Sequence, residues 1–164
     1  MDTAVPSESA SVVATKEASI GDISLNVPVD ATVVAPIMST TQPRLSCSYE
    51  QDGYTYKFSV LLTTTNLGDY DGVNNLSQTF YSTTTAFGAL KDLVIVEQGP
   101  IQVGDVSGAL FIYTYMHANP EVEAVSKNIA FSYKGQTYWV TSSILEADAI
   151  DATLDAIFDS IVLH

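Results

Sequence analysis

The stretch Asp69-Tyr70-Asp71-Gly72-Val73-Asn74-Asn75 gathers carboxylates and amides in one loop, the oxygen chemistry a hard divalent cation needs. Its spacing does not complete a calcium-binding EF-hand. With Gly72 as the invariant glycine, Leu67 would open the loop and Gln78 would close it, so the opening acid and the bidentate carboxylate are missing. Asp69 and Asp71 are therefore the metal candidates, and a turn followed by a helix cap is the preferred reading of both. A second set is aromatic. Tyr113, Tyr115, Tyr133, Tyr138 and Trp139 fall on neighbouring expected strands, where they could line a ligand groove or a protein-binding patch. Cross-strand core packing competes with that reading and is preferred, because aromatic residues are enriched in strands for packing alone.

Nucleophilic chemistry finds few partners. The single cysteine, Cys47, sits in the alternating run Leu45-Ser46-Cys47-Ser48-Tyr49, which turns it toward a core with no imidazole or cation adjacent in sequence to activate it. The two imidazoles are His117, before Asn119-Pro120, and His164, and neither has a recognisable companion in the sequence. No nucleophile elbow, phosphate-binding glycine loop or metal-binding histidine pair occurs, so no catalytic residue is assigned and no cofactor is expected.

The charge balance restricts partners further. Asp and Glu number 19 against 6 Lys and Arg, a formal net charge of −13 that repels nucleic acid and anionic lipid surfaces. With 46% hydrophobic residues, the 164-residue chain can bury one core without disulfide or metal staples. It contains no run of about 18 apolar residues, and no transmembrane segment is expected.

These candidates must be positioned by regular elements. Residues 1–19 mix Ser, Thr, Ala and Glu without period and read as a flexible tether, as left when a secretion signal or a lipid-modified cysteine has been trimmed. Residues 20–164 then form one α+β domain. Ile23 to Val27 alternate as a strand ended by Pro28, and an irregular connection over 30–43 precedes a hairpin of 44–50 and 54–64 turning at Asp52-Gly53. In its second arm, Tyr54, Tyr56, Phe58, Val60 and Leu62 share the buried face. Val73, Leu76, Phe80, Phe87 and Leu90 recur at helical spacing. Strands follow at 92–98, 101–103, 106–116, 127–134 and 137–145, with 106–116 expected to be central and covered on both faces. A closing helix carries the apolar stripe Ile150, Leu154, Ile157, Phe158 and Ile161, opposite a solvated stripe that includes Asp155 and Asp159. The fold class is α+β, an antiparallel sheet of six or seven strands with packed helices.

That order of elements resembles the PsbP-like family. The resemblance rests on Val27-Pro28 closing the first strand, the turn region Val103-Gly104-Asp105-Val106-Ser107-Gly108-Ala109, and the ending Ile157-Phe158-Asp159-Ser160-Ile161. Val29-Asp30 stand where the family often has a Trp after the Pro. The resemblance implies an α/β/α sandwich and a small secreted or lipid-anchored bacterial domain, and it carries over no catalytic residue. The resulting expectation is a non-catalytic cell-envelope domain that binds an unidentified protein or small ligand. The alternatives are an acidic cytoplasmic adaptor or secretion-chaperone-like homodimer, and an enzyme with a dispersed site.

Overall fold

In the computed structural model, the residues described are 14–51, 53–63, 91–119, 121–144 and 152–164. They form two antiparallel sheets and one helix. Strands β1 (Thr15–Ile20), β2 (Ile23–Pro28) and β10 (Val162–Leu163) make a three-stranded sheet in the order β1-β2-β10. Strands β3 (Thr32–Val34), β4 (Arg44–Gln51), β5 (Tyr54–Thr63), β6 (Lys91–Val103), β7 (Val106–Ala118), β8 (Glu121–Tyr133) and β9 (Gln136–Ile144) make a seven-stranded sheet in the order β3-β4-β5-β9-β8-β7-β6. The helix α1 (Ala152–Asp159) lies between β9 and β10 in the chain.

The hairpins follow from local chemistry. Gly21, Gly53, Gly104 and Gly135 all take positive φ at the tight turns, a conformation that costs glycine nothing and residues with a Cβ about 1–2 kcal/mol. Arg44 pairs with Leu61 and Gln51 with Tyr54, so the hairpin expected from the alternation is present. On β5, Tyr56, Phe58 and Val60 are buried while Thr55 and Lys57 are exposed, as period two requires. Asp52, the other residue of that turn, lies outside the described residues, as do the helix expected over 73–90 and the start of the closing helix around Glu146 and Asp148.

Several elements differ from the sequence expectation: the connection over 30–43 contains the short strand β3, paired with β4, and β8 begins at Glu121 rather than at 127, its first half paired with β7. The segment read as tether to residue 19 ends in a strand: β1 pairs with β2 from Thr15 opposite Pro28 to Ile20 opposite Ile23. Its apolar signal is small, only Ala18 and Ile20 being buried, and pairing with the strongly apolar β2 supplies what composition does not. Lys16 adds a hydrogen bond from its ammonium to Ala31 O at 2.6 Å. Residues 92–98 and 101–103, expected as separate strands, form the single strand β6, because a proline is tolerated in an edge strand whose N–H side needs no partner. Strand β7 is second from the edge rather than central, although both its faces are covered as expected. The closing helix stops at Asp159, and Ile161, expected on its stripe, reaches the core from the extended segment leading to β10.

Ser160 explains that stop. Its hydroxyl donates to Ile157 O at 2.7 Å and accepts from Asn26 N at 2.8 Å, exchanging a further helical turn for a link to β2. Val162 and Leu163 then pair with Ser24 and Ile23. The main core lies between the three-stranded sheet with α1 and one face of the seven-stranded sheet, uniting Ile23, Leu25 and Val27 with Tyr56, Phe58, Val140, Ile129 and Leu154. The opposite face of the large sheet holds a smaller cluster of Phe111, Tyr113, Tyr115 and Ala124, joined by Leu93.

Candidate functional site

The five aromatic residues singled out from the sequence do not form one groove. By strand parity and register, Tyr113, Tyr115 and Trp139 lie on the face of the large sheet away from the main core, and Tyr133 and Tyr138 lie on the core face. Trp139 packs against Ala109 and Ala130, whereas Tyr113 and Tyr115 pack with Phe111. Tyr138 is fully buried, stacks on Phe131 at 5.3 Å, and its hydroxyl accepts from Asp22 N at 3.0 Å and donates to Gln136 Oε1 at 3.3 Å. Tyr133 donates to His164 O at 2.9 Å. Burial pushes the Tyr113 phenol pKa up, against the opposing hydrogen bonds of Ser126 and Asn128. The hydroxyls of Tyr133 and Tyr138 are thus spent on internal partners. The metal candidates Asp69 and Asp71 lie outside the described residues.

Cys47 is buried, as its alternating run predicts, and desolvation raises its pKa to about 11 against a smaller opposing pull from Lys16. A thiol so poised is nucleophilically silent near neutrality. His164 does have a companion the sequence could not disclose: its Nε2 lies 2.7 Å from Ser24 Oγ across 140 positions. Hydroxyl and imidazole at that distance are the first two members of a nucleophile–base–orienter set. Ser24, however, is only 3% exposed, on the middle strand of the small sheet, so a substrate cannot reach its oxygen. The pair ties β10 to β2.

A different place offers access. On the face of the large sheet away from the main core, strands β3, β4, β5 and β9 floor an open depression of about 350 Å³. Its polar lining includes Thr32 on β3, Arg44, Ser46 and Ser48 on β4, Lys57 on β5 and Thr141 on β9. The register explains their convergence. Thr32 pairs with Ser48, Ser48 with Lys57, and Arg44, Ser46 and Ser48 alternate along one face of β4, so hydroxyls lie between two exposed cations. Among the described residues, no Asp or Glu lines the depression.

Sequence reading did not single out these residues. The available signal was positional: Arg44 and Lys57 are the only cations between Lys16 and Lys91, and Arg44-Leu45-Ser46-Cys47-Ser48 alternates polar with apolar. What the alternation could not reveal is that β9 comes alongside β5 and completes the floor.

No family model and no curated protein sequence matches the chain. Solved structures do. The chain is similar to cyanobacterial PsbP (CyanoP) from Synechocystis, with a TM-score of 0.66 and 12% identity over 99% of this chain and 98% of that one. It is also similar to the Ran-binding protein Mog1p of Saccharomyces cerevisiae, with a TM-score of 0.62 and 11% identity over 93% of this chain and 96% of that one. At such identities the likeness concerns the fold, and it agrees with the resemblance drawn from the order of elements. The chain has the Mog1/PsbP-like fold, built here as a seven-stranded and a three-stranded antiparallel sheet with one short helix among the described residues.

Proposed function

We propose that this chain is a non-catalytic binding domain that engages a protein or small ligand through the depression floored by β3, β4, β5 and β9. The observation that carries the reading is the lining itself: hydroxyls and two exposed cations on a sheet, with no nucleophile–base pair opening into it among the described residues. Mog1p, a Ran-binding protein of the same fold, is a precedent for partner binding. The reading includes a cell-envelope location and a lipid or secretion tether over the first residues, supported by the Ser, Thr, Ala and Glu composition there. It also includes the α/β/α arrangement, with the 73–90 helix supported by its apolar spacing and by the apolar face of Phe111, Tyr113 and Tyr115 available to it.

Photo-crosslinking in cells tests the binding reading. A crosslinking amino acid at Thr32 or Val34 should trap a discrete adduct, and the same residue at Asp105 should not. Adducts at Asp105 alone would contradict it, and no adduct at any of the three positions would exclude a protein partner and leave the small-ligand form to the titration below. Fractionation of the same cells tests location.

One observation favours a second reading, the self-associating acidic adaptor. Strand β6 is a sheet edge with Val94 58% and Val96 64% exposed, a template for pairing with another copy. Its register slips between Lys91 and Val94 and again between Ile95 and Glu97, irregularities that blunt such an edge. Light scattering coupled to size-exclusion chromatography separates the readings: a monomer excludes the homodimer.

A further inference from the structure

We infer that the depression takes a small ligand bearing two or more acidic groups, a polycarboxylate or a phosphorylated compound, held between Arg44 and Lys57. This deepens the binding reading and rests on it.

The first argument is the distribution of positive charge. Of the six cations in the chain, Lys16 is bonded to Ala31 O, Lys127 is paired with Asp155, and Lys134 lies 3.8 Å from Asp22 and over the Tyr133 ring. Lys91 stands exposed on the edge strand. The remaining two, Arg44 and Lys57, line one depression, and neither is ion-paired with an acid among the described residues. A net charge of −13 makes two neighbouring cations with no acidic partner among the described residues a positive feature in a negative field, which selects small anions that reach it closely over extended polyanions that must also meet the rest of the surface.

Geometry supplies the second argument. Ser48 stands opposite Lys57 and lies four residues beyond Arg44, roughly 14 Å along the strand at about 3.4 Å per residue. Both cations have long, flexible stems, so their heads can approach each other over Ser46, at a separation suited to two acid groups on one small molecule. Arg44 offers a planar fork for a carboxylate or phosphate and Lys57 a compact point charge. Between them the hydroxyls of Ser46 and Ser48 can donate to the remaining oxygens. The volume of about 350 Å³ suits a metabolite, and it is at the lower end of small-molecule sites. Glu50, two residues beyond Ser48 on the same strand face, borders the site and disfavours anions at that end.

The test is calorimetric titration of the full chain with citrate, succinate and inorganic phosphate, each against sodium chloride at matched ionic strength. A general salt effect on so acidic a protein is thereby separated from site binding. Arg44→Gln and Lys57→Gln should each weaken the binding anion about five- to tenfold, Glu50→Gln should tighten it, and Lys91→Gln should leave it unchanged. All four positions are exposed, and circular dichroism checks that the variants fold. Saturable binding of citrate or succinate identifies carboxylates as the ligand chemistry, and binding of phosphate alone identifies phosphoryl groups. Heats indistinguishable from chloride, or heats that Arg44→Gln and Lys57→Gln leave intact, overturn the inference. If no anion binds but Thr32 still crosslinks a partner, the inference falls and the binding domain stands; if neither occurs, both fall.

Discussion

The ammonium of Lys127 lies 2.6 Å from the carboxylate of Asp155 and 4.8 Å from the ring centroid of Phe158. Asp155, expected from its place on a polar stripe only to keep the helix solvated, thus joins α1 to β8. Phe158 meets Phe58 edge-on at 5.4 Å, so one strand residue and one helix ring fix the helix on the sheet from both sides. The two contributions differ in size. Asp155 is half exposed, which limits the ion pair to at most about 1 kcal/mol, whereas removing a buried phenyl ring costs about 3–5 kcal/mol. Urea denaturation should show Phe158→Ala strongly destabilised and Asp155→Asn only slightly; similar losses would contradict this division.

Cys47 gives a pH prediction. Its folded pKa of about 11 exceeds the ordinary thiol value of 9.0, so the native state holds its proton while the unfolded state releases it. Stability from this group is fully present below about pH 9 and falls as pH rises toward 11. Cys47→Ala should flatten that fall, apart from the tyrosine contributions above pH 10. The same burial predicts slow alkylation by iodoacetamide in the native protein and rapid alkylation in urea; fast native labelling would contradict it.

Gly108 tests the close pairing of β7 with β8. A Cβ there would lie 2.5 Å from Ala130 O and 3.0 Å from Phe131 Cβ, both held by the sheet. Gly108→Ala should therefore destabilise the domain by about 1–3 kcal/mol, since neither neighbour can swing aside. Thermal unfolding provides the measurement, and a neutral or stabilising outcome would contradict the register.

The pair formed by Ser24 and His164 is assigned a structural role. A double-mutant cycle of Ser24→Ala and His164→Ala should give a coupling of about 1 kcal/mol in folding stability. Neither change should alter anion binding at the distant depression. Loss of that binding in either variant with the fold intact would contradict the assignment.

The alternation that placed Tyr56, Phe58 and Val60 in the core and Lys57 outside was legible because a half-buried strand writes its two faces into every second residue. The order of elements also sufficed to suggest the fold. β1 was not legible, since Ala18 and Ile20 signal little without their partner strand, and β10 was hidden inside a helical apolar spacing that continues to Ile161. The aromatic set illustrates a different limit. Five rings on adjacent strands look like a patch until register assigns Tyr133 and Tyr138 to one face and Tyr113, Tyr115 and Trp139 to the other. The depression was invisible for the same reason: its residues come from four strands brought together by the non-local pairing of β5 with β9.

The most direct test of the account is amide chemical-shift mapping while citrate is added to the isotopically labelled chain at constant ionic strength. Saturable shifts concentrated at Ser46, Ser48, Lys57 and Thr141, with Gly104, Asp105 and Val162 unmoved, are the result it predicts. Shifts spread uniformly over the surface, or concentrated at the Gly104-Asp105 end, would contradict binding at this face.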